Sequence, residues 1–396
     1  MSSRRAIVVV AALALLVGAC HDSGRGRSAS SASDAQTSPT VIATTTTITP
    51  ALGPAIVFSA QGDQLDAYGT EQPFATQTVI PSPAADRDGV AVSGQICFDP
   101  TNPRQFVAAD RTDAADGQLG WGVFTLSGRT LGKLSARETA RLVPRFQPSH
   151  DEPSPFGCGF LPDGRLLTTD GGNRSSGSAD GQLIEWFPPF DRDTVLACKV
   201  DVTLAAPEGL LVDGDHVLVT DSRGSGVTSF VTSTLPTSNA STGGCAARDA
   251  TGAALAIGVV QGPWLQNAAA AGLSGATAVV RAPGGAFYVA SPRTGVIAEV
   301  DGAGRLVRRI LAPPAGAVLG KRPFLTGTPM ALGLTPNGTL YYADSGLVVQ
   351  HARLVAGLRT GTIRRITFSA GRPQPPVVVV TGLESPDGIG VWLPSA

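Results

Sequence analysis

The sequence predicts an all-β fold, a six-bladed β-propeller closed by its own N-terminal strands. Three observations predict it: a composition suited to short strands, a hairpin pattern that recurs along the chain, and chain ends that complement each other. In 396 residues there are 48 glycines and 30 prolines, while charged residues make up 15%. Many tight turns need Gly and Pro, and long surface helices would need far more Glu and Lys. A chain of this length could hold two or three average domains, but large all-β folds run as one unit. The net charge of −1 and the lack of basic runs argue against a nucleic-acid partner, because phosphate contacts need clustered Lys and Arg.

The repeat is the main signal. A Pro or Gly precedes a short apolar strand; a turn of the Pro-Asp-Gly type follows, then a second strand that usually ends in Asp. The clearest copies are Pro155-Phe-Gly-Cys-Gly-Phe-Leu-Pro-Asp-Gly-Arg-Leu-Leu-Thr-Thr-Asp170 and Pro329-Met-Ala-Leu-Gly-Leu-Thr-Pro-Asn-Gly-Thr-Leu-Tyr-Tyr-Ala-Asp344. Further copies start at Gly94, Pro207 and Ala276. Pro presets φ for a turn, and Asp-Gly or Asn-Gly tolerates positive φ, so each copy is a hairpin. Third strands follow at 121–125, 182–186, 226–230, 295–299 and 361–365, and fourth strands at 305–310 and 376–380. Four strands per unit is the pattern of a propeller blade. The ends complete the count. Pro386-Asp-Gly-Ile-Gly-Val-Trp392 is a first strand with nothing after it, whereas 55–59, 64–68 and 75–80 are later strands without a first. Joined, they make a sixth blade and leave no exposed edge.

These Pro-x-Gly, Pro-Asp-Gly and Val-Thr-Asp-Ser elements resemble the NHL-repeat and SMP-30/gluconolactonase-like six-bladed propellers over residues 54–396. That superfold hosts lactonases, esterases, quinoprotein dehydrogenases and plain binding platforms, so the resemblance implies fold more than reaction.

The N-terminus reads as an address. Arg4 and Arg5 precede the apolar run Ala6–Val17, and Val17-Gly18-Ala19-Cys20 resembles a bacterial lipobox. The run is shorter than the roughly 18–20 residues a spanning helix needs. Residues 1–19 are therefore expected to be a signal peptide, with Cys20 lipidated by a palmitate-type anchor, and 20–53 a Ser/Thr/Pro-rich tether. Ser3–Ile7 also loosely resembles a twin-arginine export signal. The expected location is the extracytoplasmic face of a cell membrane.

Four cysteines remain, and an exported chain permits two disulfides in any of three connectivities. Cys198 stands in an outer strand and Cys245 in the long excursion 232–252, so a bridge there would staple the longest loop. Cys97 and Cys158 stand in first strands of successive blades with opposite parity, which can turn them together across the blade interface. Two buried free thiols are the alternative for that pair.

Antiparallel alternation puts the start of each first strand and the second-to-third loop on one ring face. The residues nearest the axis are then Gln95 or its neighbour, Phe156, Glu208, Thr277, Met330 and Asp387. The loops add Asn173, Arg223, Arg293 and Glu384, and His150 leads into the same face. His150, Phe156, Asn173, Arg223, Arg293, Met330 and Glu384 are the candidate ligand contacts. Glu208 and Asp387 are candidate ligands for Ca²⁺ or another divalent cation, which wants six to eight oxygens. Their plainer role is to cap strand ends. SMP-30-like lactonases resemble this arrangement, with a Glu, an Asp and two Asn from four blades, but here Phe156, Thr277 and Met330 stand at the other starts. The recurring Asp110, Asp170, Asp221 and Asp344 read as turn-forming residues. No G-x-S-x-G elbow surrounds a nucleophile, and no catalytic residue is assigned. The expected function is a monomeric, membrane-tethered module that binds a protein, glycan or small molecule. The alternative is a metal-dependent lactone or ester hydrolase.

Overall fold

A computed structural model describes residues 54–86, 89–112, 120–143, 154–172, 181–191, 195–224, 226–238, 244–250, 252–321 and 327–394. Five four-stranded units follow one another in the chain. Blade 1 comprises Val92–Phe98, Gln105–Asp110, Gly120–Ser127 and Ser135–Leu142. Blade 2 comprises Pro155–Phe160, Leu166–Asp170, Gly181–Phe187 and Leu196–Leu204. Blade 3 comprises Pro207–Asp213, His216–Asp221, Gly226–Val231 and Gln261–Pro263. Blade 4 comprises Ala278–Arg281, Phe287–Ser291, Val296–Val300 and Leu306–Leu311, and blade 5 comprises Pro329–Leu334, Leu340–Asp344, Gly361–Ile366 and Val377–Leu383.

Blade 6 is composite, as the chain ends predict. Its first strand is Gly390–Trp392, and Ile56–Gln61, Gln64–Gly69 and Thr76–Ile80 complete it. Ile56 lies opposite Trp392 and Val57 opposite Val391. The Trp392 indole N–H donates to the Pro103 carbonyl at 2.7 Å, and its ring meets Phe58 edge-on at 6.4 Å. First strands of successive blades contact one another all the way round, from blade 1 to blade 6 and back to blade 1.

The core follows from this arrangement. Each blade is apolar on both faces, so a separate cluster fills each of the six blade–blade seams. Phe58, Ile96, Phe106 and Phe124 fill the seam between blades 6 and 1. Val107, Phe160 and Trp186 fill the next, and Leu183, Leu210 and Phe230 the one after. Leu218 with Val289, Ile297 with Tyr342, and Tyr341 with Val57 mark the remaining three.

The predicted hairpin turns form as their chemistry requires. In blade 2 the Gly164 amide bonds to the Leu161 carbonyl at 2.9 Å with φ at 88°, and in blade 5 Gly338 bonds to Thr335 at 2.8 Å with φ at 81°. Two insertions depart from the simple pattern. After the third strand of blade 3 the chain leaves the ring before returning as Gln261–Pro263, and on the way Ala254–Leu255 and Ala247–Arg248 extend the outer edge of blade 2. Cys198 and Cys245 are bonded there with Cα atoms 6.1 Å apart, and Lys199 Nζ meets Asp249 Oδ2 at 2.7 Å. In blade 5 a hairpin of Leu347–Gln350 and Arg353–Ala356 is inserted between the second and third strands. Its turn residues His351 and Ala352 both have positive φ, at 49° and 62°. Cys97 and Cys158 are bonded across the seam between blades 1 and 2, Cα atoms 6.0 Å apart, so both expected pairings occur and the free-thiol alternative does not.

Candidate functional site at the ring mouth

The Pro-x-Gly pattern builds the centre of the ring. In or just ahead of four first strands, the glycine lies where the backbone of a neighbouring blade passes too close for a side chain. A Cβ on Gly94 would stand 2.5 Å from the Phe156 carbonyl oxygen, one on Gly157 2.1 Å from that of Glu208, one on Gly209 2.5 Å from that of Thr277, and one on Gly388 1.6 Å from that of Gly94. The inner strands therefore pack backbone to backbone, and the residue before each glycine is left facing the mouth.

Those four residues, Ser93, Phe156, Glu208 and Asp387, line one cavity of about 810 Å³ together with Thr277 and Met330, which hold the corresponding positions ahead of Ala278 and Ala331 in blades 4 and 5. Chain order puts opposite members three blades apart. Ser93 faces Thr277, Phe156 faces Met330, and Glu208 faces Asp387 across the ring. Sequence reasoning set Gln95 or its neighbour at the blade 1 position; the residue there is Ser93. Gln95 lies one residue deeper than Gly94, and its amide both donates to the Leu210 carbonyl at 2.8 Å and accepts from the Leu210 N–H at 3.0 Å. That pair joins the inner strands of blades 1 and 3 and spans the bore below the cavity.

The two carboxylates differ. Glu208 is 2% exposed, and its Oε1 accepts from the Ser222 hydroxyl at 3.2 Å. Asp387 is half-buried, and its Oδ1 accepts from the Gly94 N–H at 3.1 Å. Desolvation pushes the Asp387 carboxyl up to about 7, against the opposing pull of the Gly94 bond and of nearby Arg111. Among the described residues no group of three His, Cys, Asp or Glu side chains is placed to hold a metal ion. Two carboxylates on opposite sides of the ring fall well short of the six to eight oxygens of a calcium cage.

Arg223 and Arg293 line the same cavity, as expected, and Arg111 joins them although the sequence did not single it out. Each lies one or two residues past the end of a second strand, in blades 3, 4 and 1. Glu384 lies in an adjoining cavity of about 440 Å³, which shares Ser93, Arg111, Ser385 and Asp387 with the first. There it pairs with Arg359 at 3.4 Å, both side chains exposed. The inserted hairpin of blade 5 forms part of both walls: Leu347, Ala352 and Leu354 face the larger cavity, and Ala356 borders the smaller. His150, Asn173 and Cys20 lie outside the described residues.

The recurring aspartates tie the chain together. Asp221 accepts from the backbone amides of Ala205 and Ala206 ahead of the first strand, both at 2.8 Å, and from Arg223 and Gly224 beyond the second. Asp344 does the same with Gly327, Thr328 and Gly346. Each clamps the approach to its blade and fixes the loop that carries the rim residues, so the turn-forming role is the one the structure displays.

No family model matches this chain, and no curated protein matches it. Among solved structures, a luciferin-regenerating enzyme aligns with a TM-score of 0.52 at 13% identity, covering 84% of this chain and 89% of the other. A 6-phosphogluconolactonase-like protein from Bacteroides uniformis aligns with a TM-score of 0.42 at 15% identity, covering 85% and 99%. Virginiamycin B lyase from Staphylococcus aureus aligns with a TM-score of 0.40 at 10% identity, covering 80% and 77%. At such identities the likeness is one of fold, and the chain is a six-bladed β-propeller whose structural neighbours include gluconolactonase-like proteins.

Proposed function

We propose that this chain is an exported, membrane-tethered propeller that binds a small molecule in the cavity at its ring mouth. The observation that carries the reading is the convergence of one side chain from every blade on a single cavity of about 810 Å³. Small-molecule sites typically occupy roughly 300–1,000 Å³ and combine apolar walls with a few placed polar groups. Here Phe156 and Met330 supply apolar wall, and Ser93, Thr277, Glu208 and the arginines supply polar groups. The lipobox-like Val17–Cys20 and the Ser/Thr/Pro-rich segment after it support a lipid anchor at Cys20. The two disulfides support an oxidising compartment, since such bonds are rare in the cytosol.

A metal-dependent lactone or ester hydrolase is the second reading, kept because Glu208 and Asp387 line the same cavity. The described residues complete no cation cage around them.

Thermal unfolding of the purified full-length chain against a panel of neutral, cationic and anionic small molecules tests the first reading. A ligand at a hundred times its Kd adds about 2.7 kcal/mol of stability, a shift of several degrees. Met330→Trp, which fills the cavity from a half-buried position, should abolish the shift. Equal shifts in both proteins would place binding elsewhere, and no shift with any compound would remove the reading. Millimolar Ca²⁺ added after chelation tests the second reading. A rise in midpoint that Glu208→Gln abolishes would revive the hydrolase.

A further inference from the structure

Among the described residues, seven arginines pair with a carboxylate. Arg165 meets Glu185 at 2.6 Å, Arg305 meets Asp301 at 2.8 Å, and Arg308 meets Glu299 at 2.7 Å. Arg141 and Arg364 reach the clamp aspartates Asp110 and Asp344 at 3.0 and 3.6 Å. Arg111, Arg223 and Arg293 stand apart by their position at the ring mouth. None of the three comes within ion-pair distance of a carboxylate among the described residues, although Arg111 is near enough to Asp387 to draw on its carboxyl, and all three line the mouth cavity.

Their placement is a consequence of the repeat. Arg111 follows Asp110 directly, Arg223 follows Asp221 by two residues, and Arg293 follows Ser291 by two. The second strands thus deliver guanidinium groups to corresponding rim positions in three blades. Each stalk is anchored. The Arg223 amide donates to Asp221 Oδ1 at 3.1 Å, and the Ser291 hydroxyl donates to the Ser274 carbonyl at 2.6 Å. The Arg293 side chain lies across Gly275, where a Cβ would come within 2.7 Å of its Cδ, so the glycine makes room for it.

We infer that the mouth cavity takes an organic anion, its carboxylate or phosphate group held among Arg111, Arg223 and Arg293 and its apolar body against Phe156, Met330 and Leu354. The inference rests on the cavity being the binding site. Three guanidiniums face two carboxylates there, an excess of positive charge in a chain whose net charge is −1. One of those carboxylates, Glu208, is already engaged by Ser222. The other, Asp387, is bound by the Gly94 amide and lifted toward neutrality by burial, which weakens its competition for the arginines. Guanidinium presents its donors in a planar fork that matches carboxylate and phosphate oxygens, and such charge-assisted bonds are the stronger kind.

Calorimetric titration of the full-length chain with benzoate, benzyl alcohol and inorganic phosphate tests this. Benzoate and benzyl alcohol share an apolar body and differ in charge. Benzoate should bind at least tenfold more tightly than benzyl alcohol, and more tightly than phosphate, which lacks the body. Arg223→Gln combined with Arg293→Gln should bring benzoate down to the level of benzyl alcohol, and the corresponding Lys pair should restore part of the loss. Equal binding of benzoate and benzyl alcohol, or benzoate binding indifferent to the Arg→Gln pair, would overturn the inference, as would no benzoate binding at all. If neutral compounds of the thermal panel still shift the wild-type midpoint and not that of Met330→Trp, the cavity remains the site and its anion preference alone fails. If no compound shifts it, both fall together.

Discussion

At Gly157 a methyl group would stand 2.1 Å from the Glu208 carbonyl oxygen, and the atom in the way is backbone that cannot swing aside. Overpacking of this kind costs roughly 1–3 kcal/mol or more, so Gly157→Ala should lower the unfolding free energy by about that much in a denaturant titration. Gly262, also in a strand, has nothing within 4 Å of an added Cβ. Gly262→Ala should change stability by less than about 0.5 kcal/mol, and comparable losses at both positions would undo the close-approach argument. Glu185 offers a second residue-scale test. It is fully buried, and desolvation pushes its carboxyl up to about 8 although Arg165 draws the other way. The unfolded carboxyl titrates near 4.5, so this contribution to stability is complete below that pH and is lost as pH rises through about 8. Asp387 acts in the same sense up to about 7. Wild-type stability should therefore decline from mildly acidic to alkaline pH by on the order of a few kcal/mol, and Glu185→Gln should flatten the decline. Parallel pH profiles for the two proteins would contradict it. At this scale the sequence was most informative where a residue type has one conformational purpose. The mouth residue of five blades could be placed from the repeat alone; blade 1 was misplaced, its first strand lacking the proline that marks blades 2, 3, 5 and 6 and its turn being longer. Arg111 was passed over because it follows the last residue of its second strand directly, where Arg223 follows Asp221, and Arg293 follows Ser291, after one more residue.

Among the elements, first and second strands were legible because a turn of Pro, Asp, Asn or Gly announces the hairpin, as Pro-Asp-Gly does in blade 2, Asp-Gly in blade 3, Pro-Gly-Gly in blade 4 and Pro-Asn-Gly in blade 5. Third strands follow at short range and were found with ends shifted by a residue or two. Outer strands were harder. Ser135–Leu142 alternates exposed and half-buried positions, and Gln261–Pro263 has three residues, too few for any period to show. The inserted hairpin of blade 5 escaped because His351 and Ala352 occupy its left-handed turn, in place of the Asn-Gly pair that signals such turns. The excursion of blade 3 was visible as a long connection, and its staple was read from the cysteines. Closing a loop across 47 residues of sequence should stabilise by roughly 2–4 kcal/mol. Cys198→Ser with Cys245→Ser should lower the thermal midpoint accordingly, with the ring fold retained, because the excursion adds to the edge of blade 2 and not to the inner strands. Loss of all β structure in that variant would show that the excursion does more than cover an edge.

For the whole molecule, ring closure depends on a three-residue strand. Trp392 is 3% exposed and joins the blade 6 seam to Pro103 of blade 1. Truncating a buried aromatic of this size typically costs about 3–5 kcal/mol. Trp392→Ala should do at least that, and should also promote aggregation through the edge of Ile56–Gln61 that it uncovers; a stable, monodisperse variant would contradict the closure. The complementary chain ends made this closure legible, because incomplete blades at both termini have one economical solution. The chemistry of the site was less legible, since the contacts that set it, such as the Gln95 bridge and the rim of arginines without carboxylate partners, join residues distant in the chain.

The most direct test of the account is hydrogen–deuterium exchange of the full-length chain, free and saturated with the panel compound that raises its midpoint furthest. Protection should appear at the starts of the six first strands, around Ser93, Phe156, Glu208, Thr277, Met330 and Asp387, and at the loops carrying Arg223 and Arg293. Protection confined to the outer strands, such as Val377–Leu383, or exchange unchanged by a compound that demonstrably binds, would place the functional surface away from the ring mouth.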